Sequence, residues 1–245
     1  MPADSDMTAY ALPKRRRIYL MRHGDVTYFD AARQAIDPDT VPLNELGRAQ
    51  ACAAGRAFAS QSIRFDRVIT SGLHRTVETA ALVLAQTGQS IDLEVEPAWR
   101  EIRGGHLADL PPESVEAAFL GALDGIVPDH VPFLGGETIG ELIDRVLPAL
   151  AALRADPSWD TVLLVLHGGV NCVLLSHATL PEQRLFIGRL AQSTGCINVL
   201  DVGAHAHDWV IRQINYTPPD ALHRDARNTV MEVLYQQFVE ANAGR

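Results

Sequence analysis

An apolar run, Ile18-Tyr19-Leu20-Met21, stops abruptly at Arg22-His23-Gly24-Asp25. A strand that gives way to a cation, an imidazole and a glycine reads as the start of a working loop, because open α/β sheets keep their ligand sites at the ends of parallel strands. Two other apolar runs end in comparable chemistry. Phe65 to Thr70 hands over Ser71-Gly72 and then, on the first turn of a helix, Arg75. Thr161 to Leu166, a continuous apolar run of the kind buried between helix layers, ends at His167-Gly168-Gly169. Parallel strand ends gather on one edge, so His23, His167, Arg22 and Arg75 are expected to converge.

These residue types suit phosphoryl transfer through a phosphohistidine. A neutral imidazole nitrogen is a competent nucleophile, and a covalent intermediate splits one hard displacement into two easier ones. Arginine offers forked donors that match phosphate oxygens. A second imidazole holds the transferring oxygens where charge develops, and glycine after each histidine lets the backbone approach the bound group closely. The set still needs a proton donor for the leaving oxygen. Glu101, in the polar loop after a short third strand, is the candidate, with Glu94, Glu96 and Asp109 as competitors.

The elements that must position these groups follow from periodicity and punctuation. Asn44 is a good cap for a helix over 45–59, whose apolar face includes Leu46, Ala49, Ala53 and Ala57. Gly47 and Gly55 in that helix are expected to permit close packing on a sheet. A second helix is expected over 73–86, a strand over 91–95, and a third helix over 137–153. Segment 111–135, rich in proline and glycine around a helical piece at 114–123, reads either as a lid or insertion facing the substrate or as a surface excursion. Residues 196–202 and 209–214 form a hairpin pattern, residues 1–14 a loose tail, and the chain from Asp220 a helical or partly loose end. Repetition of strand, loop and helix predicts an α/β sandwich with parallel strands, in one domain over 1–245.

The bulk numbers narrow the function classes. A net charge of -9 over 245 residues argues against nucleic acid and anionic membrane surfaces as partners, but not against a small anionic substrate in a locally basic pocket. Cys52, Cys172 and Cys196 sit in no pair motif, so they read as buried free thiols of a reducing, cytoplasmic compartment. Lys14-Arg15-Arg16-Arg17 precedes an apolar run too short for a signal core or a membrane span, and reads as a solvated lead-in to the first strand. His74, His106 and His130 read as surface or loop residues, and the His205-Ala206-His207-Asp208 turn as solvent-exposed polarity rather than a metal site.

In order along roughly residues 17–216, these segments resemble the histidine phosphatase superfamily, in its phosphoglycerate mutase-like branch. Arg22-His23-Gly24 is similar to that family's signature after its first strand, and Leu43 to Ala51 to its first-helix motif. Ser71 to Ala80 resembles the segment carrying the second arginine, and Glu101 sits where the family places its acid. Gly136-Glu137-Thr138 resembles the start of the later helix, and His167-Gly168-Gly169 the second histidine motif. The resemblance implies a three-layer α/β/α sandwich around a mostly parallel mixed sheet with one antiparallel strand. It implies His23 as the phosphorylated nucleophile, with Arg22, Arg75, His167 and Gly168 binding the phosphoryl group. Glu101 would protonate the leaving group and then activate water, with no metal or cofactor required.

Three departures separate the chain from the mutases of that branch. Tyr28-Phe29 stands where they usually have Trp-Asn, Ile102-Arg103-Gly104 where they carry a short basic run, and Ala108-Asp109 where Glu-Gly is expected. The sequence therefore reads as a metal-independent phosphatase of a small phosphorylated metabolite, with Asp25, Thr27, Tyr28, Arg103 and His106 as further candidate substrate contacts. A phosphopeptide is the second choice of substrate, and a homodimer is left open. The alternatives are mutase-type phosphoryl transfer and a non-catalytic interaction module on the same fold. An idle module would be expected to have lost His23, an arginine or His167, and all are present.

Overall fold

In the computed structural model, residues 11–242 are described except for 31, 33, 35, 107, 108 and 219–226. Most of the expected loose tail, Ala108, and the start of the expected C-terminal end lie outside the described residues. The strands are β1 (Arg16–Arg22), β2 (Arg67–Thr70), β3 (Leu93–Val95), β4 (Thr161–Leu166), β5 (Ile197–Val202) and β6 (Trp209–Tyr216). The helices are α1 (Glu45–Ser60), α2 (His74–Thr87), α3 (Pro112–Gly121), α4 (Ile139–Ala155), α5 (Gly168–Thr179) and α6 (Val230–Asn242).

The strands form one six-stranded sheet in the order β3-β2-β4-β1-β5-β6. β1 runs parallel to β4, β4 to β2 and β2 to β3, whereas β5 is antiparallel to both β1 and β6. Only β5 therefore runs against the rest, giving a mixed and largely parallel sheet. Side-chain alternation assigns the two faces. Ile18 and Leu20 of β1, with Val162 and Leu164 of β4, pack with Leu142, Val146 and Leu150 of α4 and Val173 and Leu174 of α5. Tyr19, Met21, Leu163 and Val165 point the other way, onto Ala54 and Phe58 of α1 and Ala80 and Val83 of α2. The result is a three-layer α/β/α sandwich, and the period of two in each strand dictates it.

Register sets the functional edge. Arg22 pairs with Leu166, Thr70 with Val165, and Thr70 with Val95, so β1, β4, β2 and β3 all end at one level. The loops leaving these four strands emerge on the same side. α1 starts beside that edge because the Asn44 side chain accepts a hydrogen bond from the Gly47 N–H at 2.8 Å, capping the helix as its sequence predicts.

Several expectations are corrected by packing. Gly47 and Gly55 do not serve the sheet: a Cβ on Gly47 would sit 2.1 Å from the Asp25 carbonyl oxygen, and one on Gly55 2.8 Å from the Val83 carbonyl oxygen of α2. Their smallness lets α1 close on the loop after His23 and on its neighbouring helix. Lys14 in the basic lead-in is exposed, but its three arginines are paired. Arg17 meets Asp201 at 2.7 Å, Arg15 meets Asp208 at 2.6 Å, and the Arg16 guanidinium lies 4.0 Å above the Trp159 ring while donating to the Asp156 and Arg154 carbonyls. Cys172 and Cys196 are buried, whereas Cys52 is only half-buried. Within segment 111–135, α3 packs Phe119 against Met231, Tyr235 and Phe238 of α6, a pairing that no sequence signal announced.

Candidate active site

Three strand ends and one loop build the site. His23 follows β1 and is almost completely buried, its N–H donating to the Leu166 carbonyl at 3.0 Å. Its Nδ1 lies 2.7 Å from the Gly24 carbonyl oxygen. A carbonyl only accepts, so Nδ1 carries the proton and the neutral ring keeps its lone pair on Nε2. That Nε2 accepts from Arg75 Nε–H at 3.3 Å. Burial, then Arg75, then Arg22 push the His23 pKa well below the ordinary imidazole value.

His167 closes β4 and is wholly buried, its ring centroid 5.2 Å from that of His23. A 2.7 Å hydrogen bond joins His167 Nε2 to Ser71 Oγ, while His167 Nδ1 is buried without a hydrogen-bond partner. Burial first, then Arg75, His23 and Arg22, hold this imidazole well below its ordinary pKa as well. Arg22 and Arg75 are both buried cations. Arg22 donates from Nη1 to the Gln192 carbonyl and has an unpartnered Nε, and Arg75 donates from Nη1 to the Pro38 carbonyl. Backbone carbonyls thus fix each guanidinium and leave its charge uncancelled. A buried Arg22 Nε–H with no protein acceptor, beside two neutral imidazoles and a second arginine, makes an edge that favours an anion.

Glu101 stands on the fourth side. Its carboxylate accepts the Gly169 N–H at 3.2 Å to either oxygen and the Ile102 N–H at 3.0 Å. The first turn of α5 therefore carries His167 on one flank and steadies Glu101 on the other. The two glycines keep this turn close to the site, and a side chain on Gly169 would crowd the Glu101 carboxylate. A Cβ on Gly169 would lie 2.7 Å from Glu101 Oε1, and one on Gly168 would sit 3.7 Å from Arg22 Nε and 3.8 Å from Glu101 Oε2.

The residues named as further substrate contacts divide. Tyr28 is half-buried and feels the charges of Arg75, Arg22, Glu101 and Asp25, and burial raises its phenol pKa. Asp25 is committed to the scaffold, accepting from Asn44 Nδ2 at 2.6 Å and donating its N–H to Gln50. Thr27 accepts from the same amide at 3.2 Å and is exposed. Arg103 and His106 are exposed, and the Arg103 guanidinium approaches Glu137 only to 3.9 Å. Of the acids competing with Glu101, Glu94 is held by Arg67 at 2.5 Å and Glu96 caps the turn at Ala98.

Sequence reasoning named Ser71 at the strand end but gave it no role, and it passed over Gln192 and Arg145. Ser71 had a readable signal, a hydroxyl placed directly at a strand end. Arg145 had a weaker one: a cation flanking the Leu142, Ile143 and Val146 stripe that α4 buries. Gln192 acts through its backbone, for which no side-chain pattern exists.

A buried imidazole pair thus lies between two arginines at the parallel edge of an α/β/α sandwich. The chain belongs to the histidine phosphatase superfamily (branch 1), whose model matches residues 18–217. It is 31% identical over 218 residues to a protein of Salmonella choleraesuis named "Probable phosphoglycerate mutase GpmB", covering 86% of this chain and 95% of that one. Among solved structures it is similar to a mycobacterial glucosyl-3-phosphoglycerate phosphatase, with 26% identity, a TM-score of 0.63 and coverage of 83% and 100% of the two chains. The alpha-ribazole phosphatase from Shigella flexneri shares the fold at 21% identity, with a TM-score of 0.62 and coverage of 82% and 96%. Among the described residues, no helix is long and apolar enough to cross a membrane.

Proposed function

We propose that the protein hydrolyses a small phosphomonoester through a phosphohistidine at His23, without a metal ion. The observation that carries this reading is the orientation of His23, whose Nδ1–H is committed to Gly24 while Nε2 faces the Arg75 donor. In the first step the Nε2 lone pair attacks phosphorus, the N–P bond forms, and the P–O ester bond breaks with its electron pair on the leaving oxygen. Glu101, protonated at that stage, gives its proton to that oxygen. In the second step water attacks phosphorus and gives a proton to the Glu101 carboxylate. The N–P bond breaks with its pair returned to Nε2, and orthophosphate is released. Arg22, Arg75 and His167 take the equatorial oxygens, with the Arg75 donor passing from His23 to phosphate as substrate enters. Gly168 lets the group approach, and Tyr28 borders it.

A phosphatase is favoured over a mutase by Tyr28-Phe29 and Ile102-Arg103-Gly104, which present no basic run for a substrate carboxylate. The relationship to the mycobacterial phosphatase supports the same class. The Salmonella relative's name keeps mutase-type transfer as a second reading. Substrate selectivity is assigned to Tyr28, Arg103, His106 and the turn at Phe133–Gly135, whose Leu134 carbonyl accepts the Gly105 N–H at 3.1 Å. The test is phosphate release from a panel of phosphomonoesters, with and without chelator, alongside 3-phosphoglycerate isomerisation. Release that survives chelation is expected. Isomerisation without release would replace the phosphatase with a mutase, and release abolished by chelation would overturn metal independence.

A further inference from the structure

Glu101 sits on a stretch with no ladder of its own: residues 101–106 belong to neither helix nor strand. A proton donor on such a loop needs its backbone held from elsewhere, and the atoms that hold it converge on one cation. Arg145 Nη1 donates to the Ala98 carbonyl at 2.6 Å and to the Arg100 carbonyl at 2.7 Å, and Nη2 donates to the Glu101 carbonyl at 3.2 Å. The remaining face of the guanidinium grips Glu137 in a fork, from Nε at 2.6 Å and from Nη2 at 2.9 Å. Glu137 in turn accepts the Arg103 N–H at 3.0 Å, and its own N–H donates to the Arg103 carbonyl at 2.9 Å. Glu101 is thus bracketed, with the backbone before it tied to Arg145 and the backbone after it tied to Glu137.

The pair is costly as packing alone. The Glu137 side chain is 3% exposed and that of Arg145 23%, and apolar residues of similar volume often serve a buried site as well as an ion pair does. Burial by itself would raise the Glu137 pKa, yet the Arg145 fork and the Arg103 N–H hold it below the ordinary carboxylate range. What the pair supplies that apolar residues could not is a rigid link from α4 to the loop. The capping box of Thr138 and Glu141 anchors the start of that helix.

We propose that Arg145, locked by Glu137, is a positioning residue that sets the reach of the Glu101 carboxyl toward the leaving oxygen. The inference rests on Glu101 being the proton donor in the proposed function. Arg145 contacts no reacting atom, and its charge also reaches His167; a variant that keeps the charge but loses the fork therefore isolates the part of its effect that passes through Glu101, which appears only where protonation of the leaving group limits the rate.

The test compares kcat/KM for an aryl ester, p-nitrophenyl phosphate, with that for an alkyl ester, glycerol 2-phosphate, in E101Q, R145K and the double variant. kcat/KM reports transfer to His23, the step in which the leaving group departs. R145K keeps the charge but loses the fork. It is expected to cost the alkyl ester roughly 10- to 100-fold, and the aryl ester several-fold less. In the E101Q background R145K is expected to add nothing further. E137Q, which keeps the shape and removes the charge that locks Arg145, is expected to repeat the pattern of R145K.

If R145K and E137Q slow both esters alike, or if their effects multiply with that of E101Q, the pair is structural only. The positioning inference then falls, while Glu101 keeps its role. If E101Q itself slows both esters alike, the reading of Glu101 falls and the inference falls with it.

Discussion

At the scale of single residues, two imidazoles are kept neutral by burial between two arginines. A buried cation beside an imidazole disfavours its protonated form, and desolvation does the same. Both histidines are therefore held well below about 6.5. The nucleophile must be neutral, so the acid limb of kcat/KM that reports His23 is expected to lie below pH 6.5; a limb at or above that value would contradict the burial argument. Replacing the proposed proton donor in E101Q is expected to cost an alkyl phosphate on the order of 10²- to 10⁴-fold, and an aryl phosphate about tenfold or less, because a good leaving group needs little protonation. Equal losses on both esters would point to another acid. His23, Arg22, Arg75 and His167 were legible in the sequence because each lies at the end of an apolar run or a helical turn beyond it. Ser71 and Arg145 were harder to read, since their roles are hydrogen bonds to other residues rather than contacts with a reacting group.

At the scale of elements, close approach of backbone to backbone aims the site. A Cβ on Gly24 would sit 2.3 Å from the Gly47 carbonyl oxygen, so the His23 loop and the first turn of α1 touch with no side chain between them. G24A is expected to lose about 1–3 kcal/mol of stability, the usual cost of overpacking, and to lower kcat by displacing His23. Gly121, at the end of α3, has nothing within 4 Å of an added Cβ. There G121A is expected to be neutral or to gain up to about 1 kcal/mol from helix propensity. Denaturant midpoints of the two variants check both signs, and a stable G24A would show that the loop moves freely. Helix and strand positions were readable to within a few residues because the apolar periods are strong. The α3–α6 pairing was not, because Phe119 and Phe238 meet only through tertiary folding.

At the scale of the whole molecule, the burial of neutral histidines makes stability depend on pH. For His23 and His167 the folded pKa lies below the unfolded one, so the unfolded chain binds more protons as pH falls through about 6.5. Their contribution to stability is fully present above that pH and is lost below it. The melting temperature is expected to fall from pH 7 to pH 5.5, and the fall is expected to be shallower in H167N; an unchanged slope would show that His167 titrates alike in both states. A net charge of -9 coexists with a site of uncancelled arginines. The overall charge was readable from composition, but the local reversal depends on which cations the fold leaves without a carboxylate.

The central claim is that His23 carries the phosphoryl group. Its most direct test is an alkaline quench during turnover of an aryl phosphate, with mass spectrometry of the peptide containing His23 and H23A as control. The predicted result is a phosphoryl group on His23, stable to base and labile to acid, together with a folded H23A protein slowed by roughly 10⁴-fold or more. A phosphoryl group on any other residue, or a folded H23A protein that turns over at the wild-type rate, would contradict it.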